Sequence, residues 1–583
     1  MFKNRIKRLK QLKKISDTVI KDFGMRYFLV IAIAELKKYK LDVFKPINER
    51  ENKNIELEEN NYERWLNSRT IEYEKIASKL QGFESESNFT IIIGIGKHNE
   101  YLLINTLNSL KSQKIKKLKI FLKAETDEIK IENTIGKKEF KNFELEMFEE
   151  TKLNNEENGY TVIMSCGDEF NTNIFYIIEK TLNENEDAEI IYFDEDIKTK
   201  HEKIEPYFKP EWSPELFLSK DYISNSYIIK NKILKANIFE KLESTKIWKF
   251  ELLLKLTEIT NKIFHIDTIV ISLNKINTEY SNQKKELIQK TLDRRNIDAV
   301  VLNSKYDNIF RIKYKLKNCP KISILIPTKN NHKLLKRCLD SLKKLDYENY
   351  EIIIIDNDST EEKTINYLKT LDLKIVKVRG NFNFSKMNNE AAKITTGEYL
   401  LFLNDDVMAI DKEWLTEMVS HCQLKGIGVV GSKLLLRDNR LQHGGIALLK
   451  NGAGFHPMMG ENSENILQHG YINTIKNCVA VTGACLLIRK NIFEEIHGFD
   501  EEFDLYYNDV DLCLKVQALG FRIVYTPYAK LLHDGSTTIK KQSNNVPFFA
   551  IENHLAMMRK WGKRKQMDPY YNINLDFNFK LRY

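Results

Sequence analysis

Apolar and polar positions alternate along the chain in blocks that point to strand, helix and strand in turn. A short apolar run at 89–93 reads as a buried strand, an amphipathic stretch at 101–110 as a helix, and the run at 118–122 as a second strand. That succession is the β-α-β alternation of a mainly parallel sheet covered by helices. It restarts at Ile322, with strands expected at 322–326, 351–355 and 398–403. At a fixed offset of 232 residues, Leu102, Leu103, Leu107, Ser109 and Leu110 fall on Leu334, Leu335, Leu339, Ser341 and Leu342 without a gap. The predicted fold is α/β, with two tandem Rossmann-like domains of mainly parallel sheets. The first occupies 81–300, a linker 301–320 and the second 321–540. A helical basic region (1–80) precedes them, and a helical extension and tail (541–583) follows.

Composition narrows the class. The 583 residues are 42% hydrophobic and 11% aromatic with 23 Gly and 10 Pro, which excludes a disordered or fibrous chain. The balance of 91 basic and 82 acidic residues leaves a net charge of +9, which allows anionic partners without requiring nucleic acid, and none is expected. Seven cysteines with no CxxC pair argue against a disulfide framework or a zinc ribbon and point to a reducing cytoplasm. The apolar stretch 28–36 is about half of a bilayer crossing, so neither a signal peptide nor a spanning helix is predicted. Residues 1–14 hold seven Lys/Arg and no acid, with Ile6, Leu9, Leu12 and Ile15 on one stripe. Such a helix either lies peripherally on anionic lipid, where each basic residue adds about 1 kcal/mol, or packs on the protein body.

Candidate chemistry gathers at the carboxyl ends of the second copy's strands. Pro327-Thr328-Lys329-Asn330, Asp356-Asn357-Asp358-Ser359 and Asn404-Asp405-Asp406 each follow a strand, at the edge where ligands enter an open parallel sheet. Singly such acids are turn formers and helix caps. Jointly, carboxylates and an amide can hold Mg²⁺ or Mn²⁺ with phosphate oxygens completing the shell, which implies a nucleoside diphosphate substrate. Asp509 stands at the front of an expected helix, facing a crevice or capping the helix, and His533 follows an expected strand at 522–525. Gly94-Ile95-Gly96-Lys97 lacks the third glycine of a dinucleotide fingerprint.

These residues resemble the inverting family 2 glycosyltransferases of GT-A fold, in particular the long two-domain bacterial kind of O-antigen and capsule synthesis. The resemblance rests on residues 62–66, Phe193-Asp194-Glu195-Asp196, Phe208-Lys209-Pro210-Glu211-Trp212-Ser213-Pro214, residues 403–406, Leu441-Gln442-His443-Gly444-Gly445, Val481-Thr482-Gly483-Ala484-Cys485, Gly498-Phe499-Asp500-Glu501 and Asn508-Asp509-Val510-Asp511-Leu512. It implies that Pro327, Thr328 and Asn330 cradle the donor nucleotide with Asp358, that Asp356 reads a pyrimidine base, and that Asp406 ends a D-x-D motif whose first Asp is Asn404. With Asn404 in that place the metal would be held more weakly or shared with Asp405, both residues lying on the donor; His533 would add a metal ligand and Asp509 would be the general base beside Asn508. The implied partners are a UDP- or dTDP-sugar donor with Mn²⁺ or Mg²⁺ and a lipid-linked or oligosaccharide acceptor. The location expected from the cysteines and the basic amino-terminal stretch is cytoplasmic, either free or peripheral on the cytoplasmic face of the inner membrane.

The first copy lacks the corresponding groups. At the offset of 232 Asp356 falls on Ala124; at a shifted offset of 239 Asn404 and Asp406 fall on Ser165 and Gly167 with Asp168 one residue on; and matching residues 252–255 to 512–515 places Asp509 on Lys249. The expectation is a degenerate domain kept for structure, acceptor binding or assembly, with Asp194-Glu195-Asp196 and Trp212 read either as surface acids and a buried Trp or as a saccharide site. Two alternatives stay open: a polymerase with both copies active, and a non-catalytic carbohydrate-binding or assembly protein.

Overall fold

The structure, a computed structural model, describes residue 62, residues 64–69 and residues 85–575 apart from 97–99, 114, 127–128, 130–142, 151–158, 172–173, 199–203, 224–225, 235–237, 244–245, 275–279, 467–469, 535–545, 563 and 565–567. The basic stretch 1–14 lies outside the described residues. The described chain forms two compact units. The first spans 62–315 with 466–477 and 569–575; the second spans 316–465 and 478–568.

In the first unit, strands β1 (Ser85–Ile95), β2 (Ile115–Ala124), β3 (Leu145–Met147), β4 (Tyr160–Ser165), β5 (Glu169–Phe170), β6 (Ile190–Lys198), β7 (Ile204–Tyr207), β8 (Tyr227–Lys230) and β9 (Ile263–Asn274) make one sheet of order β3-β2-β1-β4-β8-β6-β9-β5, with β7 on β6. The run β3-β2-β1-β4 is parallel, as the apolar runs predicted. β8 then joins antiparallel on both sides, β6 and β9 are parallel, and β5 is antiparallel. Ile91, Ile93, Leu103, Leu107 and Val162 fill the core beneath the parallel half.

Residues 301–320 are not the linker expected from their basic composition. β10 (Ala299–Asn303) and β11 (Phe310–Tyr314) form an antiparallel hairpin, and the boundary between the units falls at 315/316. The cause is a period of two: Ala299, Val301, Phe310, Ile312 and Tyr314 are buried while Val300 and Leu302 face solvent. Gln289, on the preceding helix Ser281–Arg294, pins the hairpin by donating to Ala299 O at 3.0 Å and accepting from Val301 N at 2.9 Å.

The second unit repeats the first. Strands β12 (Ile322–Thr328), β13 (Tyr350–Asp356), β14 (Lys374–Lys377), β15 (Tyr399–Leu403), β16 (Val407–Ala409), β17 (Ile427–Leu435), β18 (Leu441–His443), a short pair β19 (Ala447–Leu448) and β20 (Gly454–Phe455), and, after β21 (Lys476–Asn477) in the first unit, β22 (Cys485–Arg489) and β23 (Arg522–His533) complete the chain. The order β14-β13-β12-β15-β22-β17-β23-β16, with β18 on β17, matches the first sheet strand for strand. Every pairing direction matches as well. Phe402, Phe493 and Phe499 pack edge-on and tilted at 4.8–5.7 Å beneath this sheet. Among the described residues no helix is long and apolar enough to cross a membrane.

Candidate active site

The parallel half of the second sheet brings three loops to one edge. Thr328 and Asp356 are register partners at the ends of β12 and β13, and Asn357 N donates to Thr328 O at 3.0 Å. Pro327 pairs with Ile355 one step before. Asp356 is buried and its Oδ1 accepts from Ser359 N at 3.0 Å, which closes the turn. Asn330 and Asp358 both hold positive φ, 52° and 59°, a conformation that Asn and Asp tolerate better than other side chains. Asn330 Oδ1 accepts from Thr360 N and Glu361 N at 2.8 and 2.9 Å, just before helix Glu362–Lys369, and so fastens the first loop to the second. Asp405 Oδ2 takes Thr328 Oγ1 at 2.7 Å and Asn331 Nδ2 at 3.1 Å, which fastens the third loop to the first. Asp358 itself is exposed.

Asp406 and His533 meet at 3.2 Å, Oδ1 to Nε2, because β16 pairs with β23 in the register Val407 to His533. The strand expected at 522–525 in fact runs on to His533, which is its last residue. Asp534 N donates to Asp406 O at 3.0 Å, and Arg337 and Arg437 clamp the Asp534 carboxylate, holding it below the usual carboxylate range. His533 Nδ1 is buried without a hydrogen-bond partner. No cluster of three or more His, Cys, Asp or Glu suited to a metal occurs among the described residues. One carboxylate and one imidazole facing each other nonetheless fit a divalent cation whose remaining sites go to phosphate and water.

Asp509 is the second residue of helix Asn508–Ala518, whose N-cap Tyr507 holds a φ of 62°. Its Oδ2 accepts from Gly483 N at 2.9 Å. Burial pushes the carboxyl up against the opposing pull of the backbone donors Gly483 and Val510. The neighbouring Ala484 O accepts from Asn404 N at 3.0 Å, where β15 gives way to the Asn404-Asp405-Asp406 turn. One segment, 482–484, thus connects the base candidate to the acidic turn through two hydrogen bonds.

The same segment holds a histidine pair. His443 Nε2 accepts from Gly445 N at 3.3 Å and Thr482 N at 3.4 Å, which leaves its proton on Nδ1 to donate to His456 Nδ1 at 2.9 Å. Burial and the neighbouring His533 push His456 down to about 4, so it is neutral near pH 7. His456 escaped the sequence reading because it lies in a loop without periodicity. His443 stood in a motif whose partner only the fold supplies.

In the first unit the equivalent edge is filled. Ile95 pairs with Ala124 at the ends of β1 and β2, the register place of Thr328 and Asp356, so Ala124 stands where the base-reading acid would be. Lys249, second residue of helix Trp248–Leu256 as Asp509 is of its own, forms an ion pair with Glu125, and both lie against Gly94. Asp168 is buried and accepts from Ser165 N, Asn274 N and Ser226 Oγ, which occupies its oxygens. Asp194, Glu195 and Asp196 are buried, not surface acids. They accept from His265, Lys209, Asn572 and Tyr62. Trp212, expected buried, is half-exposed and packs on Phe217 at 5.4 Å.

Comparison with known families fits this edge. The family described as glycosyl transferase family 2 matches residues 323–496, and glycosyl transferase family group 2 matches residues 452–562. The second half of the chain belongs to glycosyl transferase family 2. Among curated relatives, the O-antigen biosynthesis protein RfbC of Myxococcus xanthus is 31% identical over 404 residues, covering 66% of this chain and 31% of that protein. The rhamnosyltransferase WbbL of Escherichia coli is 27% identical over 226 residues, covering 36% of this chain and 83% of that protein. The chain thus spans about a third of the length of the Myxococcus relative. Among solved structures, a mannosyltransferase from Pyrobaculum calidifontis in complex with GDP-Man and Mn2+ aligns at a TM-score of 0.29 with 16% identity, covering 41% of this chain and 70% of that one.

Proposed function

We propose that the second unit is an inverting glycosyltransferase that moves a sugar from a nucleotide-sugar donor to a growing surface saccharide. The observation that supports this most directly is the segment 482–484, with Gly483 N on Asp509 and Ala484 O on Asn404, which joins a carboxylate to the acidic turn that ends in Asp406. A sugar hydroxyl has a pKa far above 7 and attacks slowly. Asp509 takes its proton as the new bond to C1 forms, which contributes about 10²–10⁴ in rate. The bond from C1 to the diphosphate breaks on the opposite face, so the anomeric centre inverts and no covalent sugar–enzyme intermediate forms. Asp406 and His533 would hold Mn²⁺ or Mg²⁺, which supplies positive charge to the departing diphosphate. Thr328, Asn330 and Asp405 tie the three loops together and Asp356 closes the turn of the second, which fixes the shape of the edge that receives the nucleotide, UDP or dTDP in this reading.

In this reading the first unit transfers no sugar, because Lys249 and Glu125 neutralise each other where a base would stand. The test is release of UDP or dTDP from a panel of nucleotide sugars by the full chain, with Mn²⁺, Mg²⁺ or EDTA, followed by NMR of the anomeric linkage in the product. Retention of configuration, or release unaffected by EDTA, overturns the corresponding part of the reading. Transfer to a lipid-linked acceptor at the inner membrane's cytoplasmic face is the expected setting.

A further inference from the structure

The first unit contains a cavity unconnected with the edge that Lys249 and Glu125 fill. It is a pocket open to solvent at its mouth, between three stretches of that unit at 206–220, 471–477 and 570–575. Ser213 Oγ donates to Asn477 Oδ1 at 2.7 Å and Ser219 Oγ accepts from Ile475 N at 3.2 Å, which tie the first two stretches. Glu211 N donates to Pro569 O at 2.8 Å and Asn572 Nδ2 to Lys209 O at 2.9 Å, which tie the third. The wall is therefore built from long-range contacts inside one unit.

Its lining is unusual. Among the described residues that line it, Tyr207, Phe208, Tyr471, Tyr570 and Tyr571 supply five aromatic rings, Lys220 and Lys476 supply the charges, and none is a carboxylate. Lys220 Nζ lies 5.2 Å from the Tyr207 ring centre, and burial pushes its amine down to about 7. Aromatic faces beside hydrogen-bonding side chains suit an amphipathic ligand with a C–H face and a hydroxyl edge, since aromatic walls with a few placed polar groups are the usual make-up of a small-molecule site. We propose that this cavity binds a pyranose unit of a saccharide, and that it holds the growing acceptor chain for the second unit. The first clause stands on the cavity alone, while the second rests on the function proposed above.

The test measures binding apart from transfer. The full chain, with and without Asp509→Asn, is titrated by calorimetry with hexose, 6-deoxyhexose and N-acetylhexosamine trisaccharides. Donor hydrolysis is followed in parallel. At least one trisaccharide is expected to bind equally to both proteins. Tyr570→Ala should weaken it at least tenfold, Tyr570→Phe less than threefold, and Leu216→Trp, which fills the cavity from a half-exposed position, at least tenfold. Donor hydrolysis should stay unchanged in all three. Absence of binding by every trisaccharide, equal binding by Tyr570→Ala and Leu216→Trp, or displacement of the trisaccharide by UDP overturns the proposal. Loss of donor hydrolysis in the unsubstituted protein with binding intact would instead overturn the transferase reading.

Discussion

The two units share one sheet order and one set of pairing directions, yet their ligand edges have opposite contents. In the second, Asp509 rests on a backbone N–H and Asp406 faces His533. In the first, the same helix position carries Lys249, locked to Glu125, and the register place of Asp356 carries Ala124. The sheet alone does not make a site. What decides is whether charges at the strand ends are left to meet a ligand or are spent on each other, and a buried ion pair gains little for stability over well-packed apolar side chains.

The comparison can be broken most easily at Asp509. Asp509→Asn keeps the shape and removes the base, and transfer measured with a short acceptor should fall about 10²–10⁴-fold. Asp406→Ala should cost at least 10²-fold and should abolish the stimulation by added Mn²⁺ or Mg²⁺, read in the same assay. The pH dependence sharpens the assignment. Because burial raises the Asp509 carboxyl, the active ionised form is lost as pH falls through a value above the ordinary 3.8, and the acidic limb of kcat/KM should lie correspondingly high. Lys249→Ala should change transfer less than twofold, and a larger loss would mean that the first unit does chemistry after all. It leaves Glu125 with the Trp248 Nε1 donor at 3.3 Å but without its cation, so the thermal midpoint of the first unit should drop even as activity survives.

The tandem architecture was legible because its signals are local: strands at 89–93 and 322–326, and the heptad-like match of Leu102 to Leu334, need only periodicity. Alternation also existed in 299–314, but basic composition hid it, and only the pairing of Ala299 with Tyr314 makes the hairpin plain. The acidic turn and Asp509 were visible as residue types at strand and helix ends. What joins them was not, since Gly483 acts through its backbone N–H and any residue with a free amide reads alike in a sequence. Asp194, Glu195 and Asp196 show the converse. Their charge suggested surface, while partners distant in sequence, Tyr62, Lys209, His265 and Asn572, bury all three.

Chain tracing has a consequence for biosynthesis. The ribosome delivers residues 62–315 before the second unit, but the first unit also needs 466–477 and 569–575, which emerge during and after the second. Asp194 waits for Asn572, and Ser213 for Asn477. That unit therefore matures after the second although it is translated first, and a nascent chain halted before residue 569 leaves Asp194 without its Asn572 donor and the pocket without its third wall.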